Sequence, residues 1–136
     1  MGYSKLFESG YMSRNDLNCA EAMLSAADEH YGLNLGQTAL KVACGFGGGL
    51  GRERACGALT GGMMALGCLF ARDRSHRDPL MRSLREEYVG AFEAHFGSTE
   101  CADIKKRHRD PQQGCEPVVL QAAVILERII DNRRAE

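Results

Sequence analysis

Six cysteines, at positions 19, 44, 56, 68, 101 and 115, are the residues of this chain best suited to chemistry. A thiolate attacks disulfides, binds soft metals and holds iron–sulfur clusters. Reducing compartments rarely keep structural disulfides, so a cysteine-rich intracellular chain reads toward metal binding or redox chemistry. The plain alternative is that a free cysteine is only a small buried hydrophobe. The sequence contains no CxxC, no Cys-x-x-Cys-His, no zinc ribbon and no ferredoxin run. Neither a thioredoxin-type motif nor covalent c-type haem is therefore indicated. A shared site has to be assembled from distant segments.

The elements that would carry these cysteines read as helices throughout, because no stretch alternates apolar and polar residues for long enough to suggest a strand. An amphipathic piece covers about Tyr3 to Met12. Asn18, followed three residues later by Glu21, is a capping-box start for a helix ending at Gly32. Its Cys19, Met23, Ala26, Ala27 and His30 share one face. A third helix spans about Gln37 to Cys44, and the glycine-rich segment Gly45–Gly51 breaks it. A fourth runs from about Cys56 to Ala71. Asp78-Pro79 opens a fifth, which stops at Gly97. Cys101 lies in the first turn of a short sixth helix. Lys105–Gly114 reads as a loop, and Cys115-Glu116-Pro117 begins a last helix with Val118, Ala122, Ile125, Leu126 and Ile129 toward the core. The expectation is an all-α, single-domain bundle of six to seven helices over residues 1–136, with a glycine-rich loop between the third and fourth.

On this reading Cys19, Cys56, Cys101 and Cys115 all fall at helix N-termini, while Cys44 ends a helix and Cys68 lies late in one. Unpaired N–H groups and the positive end of the helix dipole favour an anion there, which would lower the pKa of a thiol and stabilise the sulfurs of a cluster. The four are spaced 37, 45 and 14 residues apart, so they meet only if their helices converge. Glycines 47, 48 and 49 could let the backbone approach Cys56 or a ligand beside it. The loop lacks the Gly-Lys-Ser/Thr ending of a P-loop, so no nucleotide is expected. Gly57 and Gly61 suit either a close helix crossing or a bound cofactor, and the crossing is the simpler account.

The rest of the composition narrows the classes. The chain has 136 residues, is 44% hydrophobic and carries a net charge of −1. Neither nucleic acid nor a membrane is an expected partner. Ala55–Ala71 is too short and glycine-rich to span a bilayer, and the polar N-terminal segment is no secretory signal, which points to the cytoplasm. The basic run Lys105–Arg109 reads as a solvated face, and His108 as a loop histidine. His30 and His95 read as structural residues on helices, and no Ser/His/Asp arrangement can be picked out.

Asn18-Cys19-Ala20-Glu21-Ala22, Gly45-Phe46-Gly47-Gly48-Gly49, Cys56-Gly57-Ala58-Leu59-Thr60-Gly61, Phe96-Gly97-Ser98-Thr99-Glu100-Cys101 and Cys115 together resemble the C_GCAxxG_C_C family, described as redox-active. The resemblance extends over roughly residues 14 to 130. It implies four family cysteines, which fall on Cys19, Cys56, Cys101 and Cys115. A similar domain in split-Soret-type cytochromes is associated with a non-haem diiron–sulfur centre, although this chain has no haem motif. Three functions stay open. The first is electron transfer or redox sensing through a [2Fe–2S]-type cluster on the four cysteines, with an unidentified redox partner protein. The second is metal-free thiol–disulfide exchange, with Cys56 attacking and Cys19 resolving. The third is a non-catalytic helical module, and pairing of two copies through the glycine-lined helix is compatible with any of them.

Overall fold

The computed structural model describes residues 2–135, and among them every regular element is helical. In chain order the α-helices are α1 (Lys5–Glu8), α2 (Tyr11–Arg14), α3 (Cys19–Tyr31), α4 (Gly36–Lys41), α5 (Gly57–Phe70), α6 (Pro79–Phe96), α7 (Cys101–His108) and α8 (Glu116–Arg134). Their ends follow local chemistry. Asn18 and Glu21 cap each other's backbone at the start of α3, which ends where Gly32 turns left-handed. Asp78 caps α6 with Pro79 in its first turn, and Gly97 closes it. The apolar stripe of α6 expected from its spacing, Met81, Leu84, Tyr88, Phe92 and Phe96, is buried except for the half-buried Met81, and Val118, Ala122, Ile125, Leu126 and Ile129 are buried on α8.

Four local readings are corrected. The first amphipathic piece is two short helices, because Gly10 sits at φ 79° between them. The third helix stops at Lys41, and Cys44–Phe46 form a separate 3₁₀ turn. Lys105–His108 are not a loop, since α7 continues through them, with Ile104 buried and the His108 ring edge-on to Phe96. His30, assigned by spacing to the buried face of α3, is exposed beside Tyr31.

The arrangement turns on α5. Its Gly61 backbone lies so close to α3 that an added Cβ would stand 2.5 Å from the Ala20 carbonyl oxygen and 2.8 Å from its Cα. At Gly62 the neighbour is the buried Tyr88 ring of α6, whose hydroxyl donates to the Ala58 carbonyl at 2.9 Å. The glycines that weaken α5 as an isolated helix therefore let two partners reach its axis. Packing explains Gly61 and Gly62, and the glycine-lined face is covered within the chain. The α1–α2 segment closes one side. Buried Tyr3 donates to the Met23 carbonyl at 2.8 Å, and Glu116 at the start of α8 accepts from the Ser13 amide and hydroxyl, each at 2.6 Å.

Two stability effects follow. Gly61→Ala forces α3 and α5 apart and is expected to cost about 2 kcal/mol or more. Gly67→Ala, where a Cβ meets nothing within 4 Å, should stabilise by about 1 kcal/mol. Urea unfolding of the two variants beside the parent compares them directly. The Asp78 carboxylate accepts from the backbone N–H groups of Arg72, Met81 and Asp73, which holds its pKa below the ordinary value. Its stabilisation is complete above the unfolded carboxylate pKa and is lost as pH falls through the lower folded value. An Asp78→Ala variant should melt earlier than the parent at neutral pH, and the gap should shrink on acidification below about pH 4.

Candidate four-cysteine site

The starts of four helices border one cavity of about 230 Å³, lined by Cys19, Cys56, Cys101 and Cys115 together with Gly48, Ile104, Val118, Lys105 and Arg109. Each cysteine is placed by its own local device. The Asn18 capping box puts Cys19 in the first position of α3, and the Asn18 Nδ2 donates to the Cys44 carbonyl at 2.9 Å, tying that helix start to the glycine segment. Cys56 and Cys101 are joined by a short backbone pairing. The Cys56 amide donates to the Thr99 carbonyl at 2.8 Å, and the Cys101 amide to the Arg54 carbonyl at 2.5 Å. Cys115 follows a tight turn in which Asp110 and Gly114 exchange backbone bonds of 2.9 and 2.8 Å. It stands at the N-cap of α8.

Cys56 and Cys101 are buried, Cys19 and Cys115 half-buried, and all six cysteines are free thiols. Cys44 and Cys68 are exposed and stand outside the cavity. The glycines proposed as cofactor contacts do different things. Gly48, at φ 62°, lines the cavity itself. A side chain on Gly47 would collide with Asn18, one on Gly49 with the Arg54 backbone and Cys101, and one on Gly57 with the Cys19 sulfur. The last three let the backbone close on the cysteine-bearing segments. Two lining residues escaped the sequence reading. Lys105 lies one helical turn beyond Cys101 in α7, a spacing hidden by treating the run as a loop, and Arg109 stands just past the end of that helix in extended backbone. His108 is not among the lining residues, and its Nε2 lies 3.1 Å from the Phe96 carbonyl oxygen.

The electrostatics correct the expectation that helix starts depress these pKa values. Burial pushes the Cys56 thiol up to about 12, although the Ala58 and Leu59 N–H groups favour its charged form. Burial also raises Cys101 against the pull of Lys105, and Cys115 against Arg109 and Lys105. Desolvation outweighs the helix end because the sulfurs sit in an apolar pocket rather than at a wet terminus. A buried neutral thiol is a poor free nucleophile.

The donor set is sulfur alone, since no histidine or carboxylate lines the cavity. Among the described residues no three His, Cys, Asp or Glu side chains are gathered closely enough to grip one metal ion. A cluster supplies bridging sulfides of its own and spans more widely spaced thiolates than a single ion does. The four cysteines fit that chemistry in type and number. Fold and cavity thus define an all-α domain built around four thiols. The chain matches, over residues 17–129, the family described as "Putative redox-active protein (C_GCAxxG_C_C)", and it belongs to that family. No significant match to a curated protein or to a solved structure is found. No helix among the described residues is long and apolar enough to cross a membrane.

Accessibility orders the thiols. In native protein free of metal, Cys44 and Cys68 should react with a chromogenic disulfide reagent well before the four inner cysteines. Asn18→Ala removes a cap and the tether to Cys44, at a cost of about 1 kcal/mol, and should speed labelling of Cys19. Peptide mapping of the labelled protein would reveal a different order if the cavity is open.

Proposed function

We propose that the four-cysteine cavity binds an iron–sulfur cluster of the [2Fe–2S] type and that the protein carries electrons or senses redox state. The observation behind this reading is the convergence of four sulfurs, from four separate helix starts, on one small pocket that is otherwise mostly apolar. Cys19, Cys56, Cys101 and Cys115 would be the ligands. The bound group would supply a one-electron couple, and the chain would set its potential through the dryness of the pocket and the N–H groups at the helix starts. Loading would displace the thiol protons, so it would be favoured by rising pH. Free thiols of this number suit a reducing, cytoplasmic setting.

Thiol–disulfide exchange by Cys56 and Cys19 is the second reading. It draws on the Cys19 sulfur lying directly against Gly57, next to Cys56. Anaerobic purification, with a visible spectrum and iron and acid-labile sulfide counted per chain, separates the two. The cluster reading expects a coloured protein that loses iron and sulfide together in Cys56→Ala and keeps both in Cys44→Ala and Cys68→Ala. A colourless protein that resists reconstitution and instead forms a Cys19–Cys56 disulfide would replace it with the second reading.

A further inference from the structure

The cavity has a charged border of one sign. Among the described residues its ionic lining groups are Lys105 and Arg109. Beside it, the irregular turn Gly49–Glu53 packs against α7, with the Lys105 ammonium 2.9 Å from the Glu53 carboxylate. Arg52, Arg54 and Arg109 are exposed, and none of the three is in an ion pair. Over residues 49–54 and 100–110 the bases Arg52, Arg54, Lys105, Lys106, Arg107 and Arg109 outnumber the acids Glu53, Glu100, Asp103 and Asp110, of which Glu53 is paired with Lys105. Leu50, on the same turn, is 52% exposed in a left-handed conformation that places an apolar side chain in solvent. The molecule as a whole carries −1, so this positive border is local and set against the net charge.

On the redox reading of the cavity, we infer that the face formed by Lys105, Arg109, Arg52, Arg54 and Leu50 is the docking surface for an acidic redox protein. Carboxylates on the partner would meet the cations, and a small apolar patch would sit on Leu50. The electron would pass at this border because the cysteines lie directly beneath it. Charge complementarity of this kind acts chiefly on the rate of encounter and weakens as salt screens it.

The sign of that salt dependence is the test, and small oxidants serve as probes. Protein loaded anaerobically and reduced with dithionite, with the excess removed, is mixed in stopped flow with ferricyanide. One electron passes from the reduced centre to ferricyanide, giving ferrocyanide. The cationic tris(phenanthroline)cobalt(III), which becomes the cobalt(II) complex, is the counter-probe. A cationic border predicts that ferricyanide oxidises the protein about tenfold faster at low salt than at high salt, and that the cobalt complex shows the opposite trend. Lys105→Gln/Arg109→Gln should remove most of the ferricyanide dependence. Arg72→Gln/Arg74→Gln makes the same change in net charge beyond the far end of α5, and should leave it in place. Rates that follow net charge alone, or that respond equally to both double variants, overturn the docking face. So does binding of a fluorescent DNA oligonucleotide to this face with oxidation rates indifferent to the cations, since the patch would then be a nucleic-acid surface. A protein that never acquires a reducible centre fails earlier, at loading, and its failure counts against the redox reading itself.

Discussion

The close crossing of α3 and α5 is the contact on which the other features depend. Two helices approach at backbone range only where side chains are absent, and Gly57 and Gly61 supply that absence opposite Cys19 and Ala20. The same approach lays the Cys19 sulfur beside Cys56, although 37 residues separate them in the chain. Once α5 is fixed against α3, its opposite side takes Tyr88 at Gly62, and its N-terminus offers the backbone groups that hold Cys101. One short-range steric condition thus reaches three of the four sulfurs. The fourth arrives with α8, whose first turn is held to α2 through Glu116 and Ser13.

Burial and helix ends compete in the cavity, and burial wins. Each helix start contributes partial positive charge, but burial removes the solvation that a thiolate needs, and the pKa values of Cys56, Cys101 and Cys115 are raised. Lys105 and Arg109 act in the same direction as the helix ends without overturning the balance. Such an environment suppresses casual thiol reactivity and still offers four sulfurs to a group that can displace their protons.

Much of this was legible in the sequence. Asn18, Glu21, Asp78, Pro79, Gly32 and Gly97 mark helix ends by chemistry that acts within a few residues, and those ends lie within a residue or two of where the pattern put them. The four cysteines at helix starts could be singled out in the same way. Their convergence depended on packing between helices far apart in sequence, which local pattern does not specify. The sign of the pKa shifts was missed for a related reason: a helix N-terminus is visible in sequence, whereas the apolar walls that Ile104 and Val118 bring to it are not. Lys105 was hidden by a run of charges that resembled a loop, although a buried residue, Ile104, and a histidine packed on Phe96 anchor that stretch as helix, and Arg109 lies just past its end.

The wide separation of the four cysteines bears on how the protein is made. Cys19, Cys56 and Cys101 emerge from the ribosome in turn, and Cys115 follows just ahead of α8. Until Cys115 and α8 have emerged, a nascent chain offers an incomplete set of sulfurs, without the Val118 wall of the pocket. A chain clipped ahead of α8 would lose the Val118 wall and leave the remaining cysteines of the pocket less sheltered than in the intact fold.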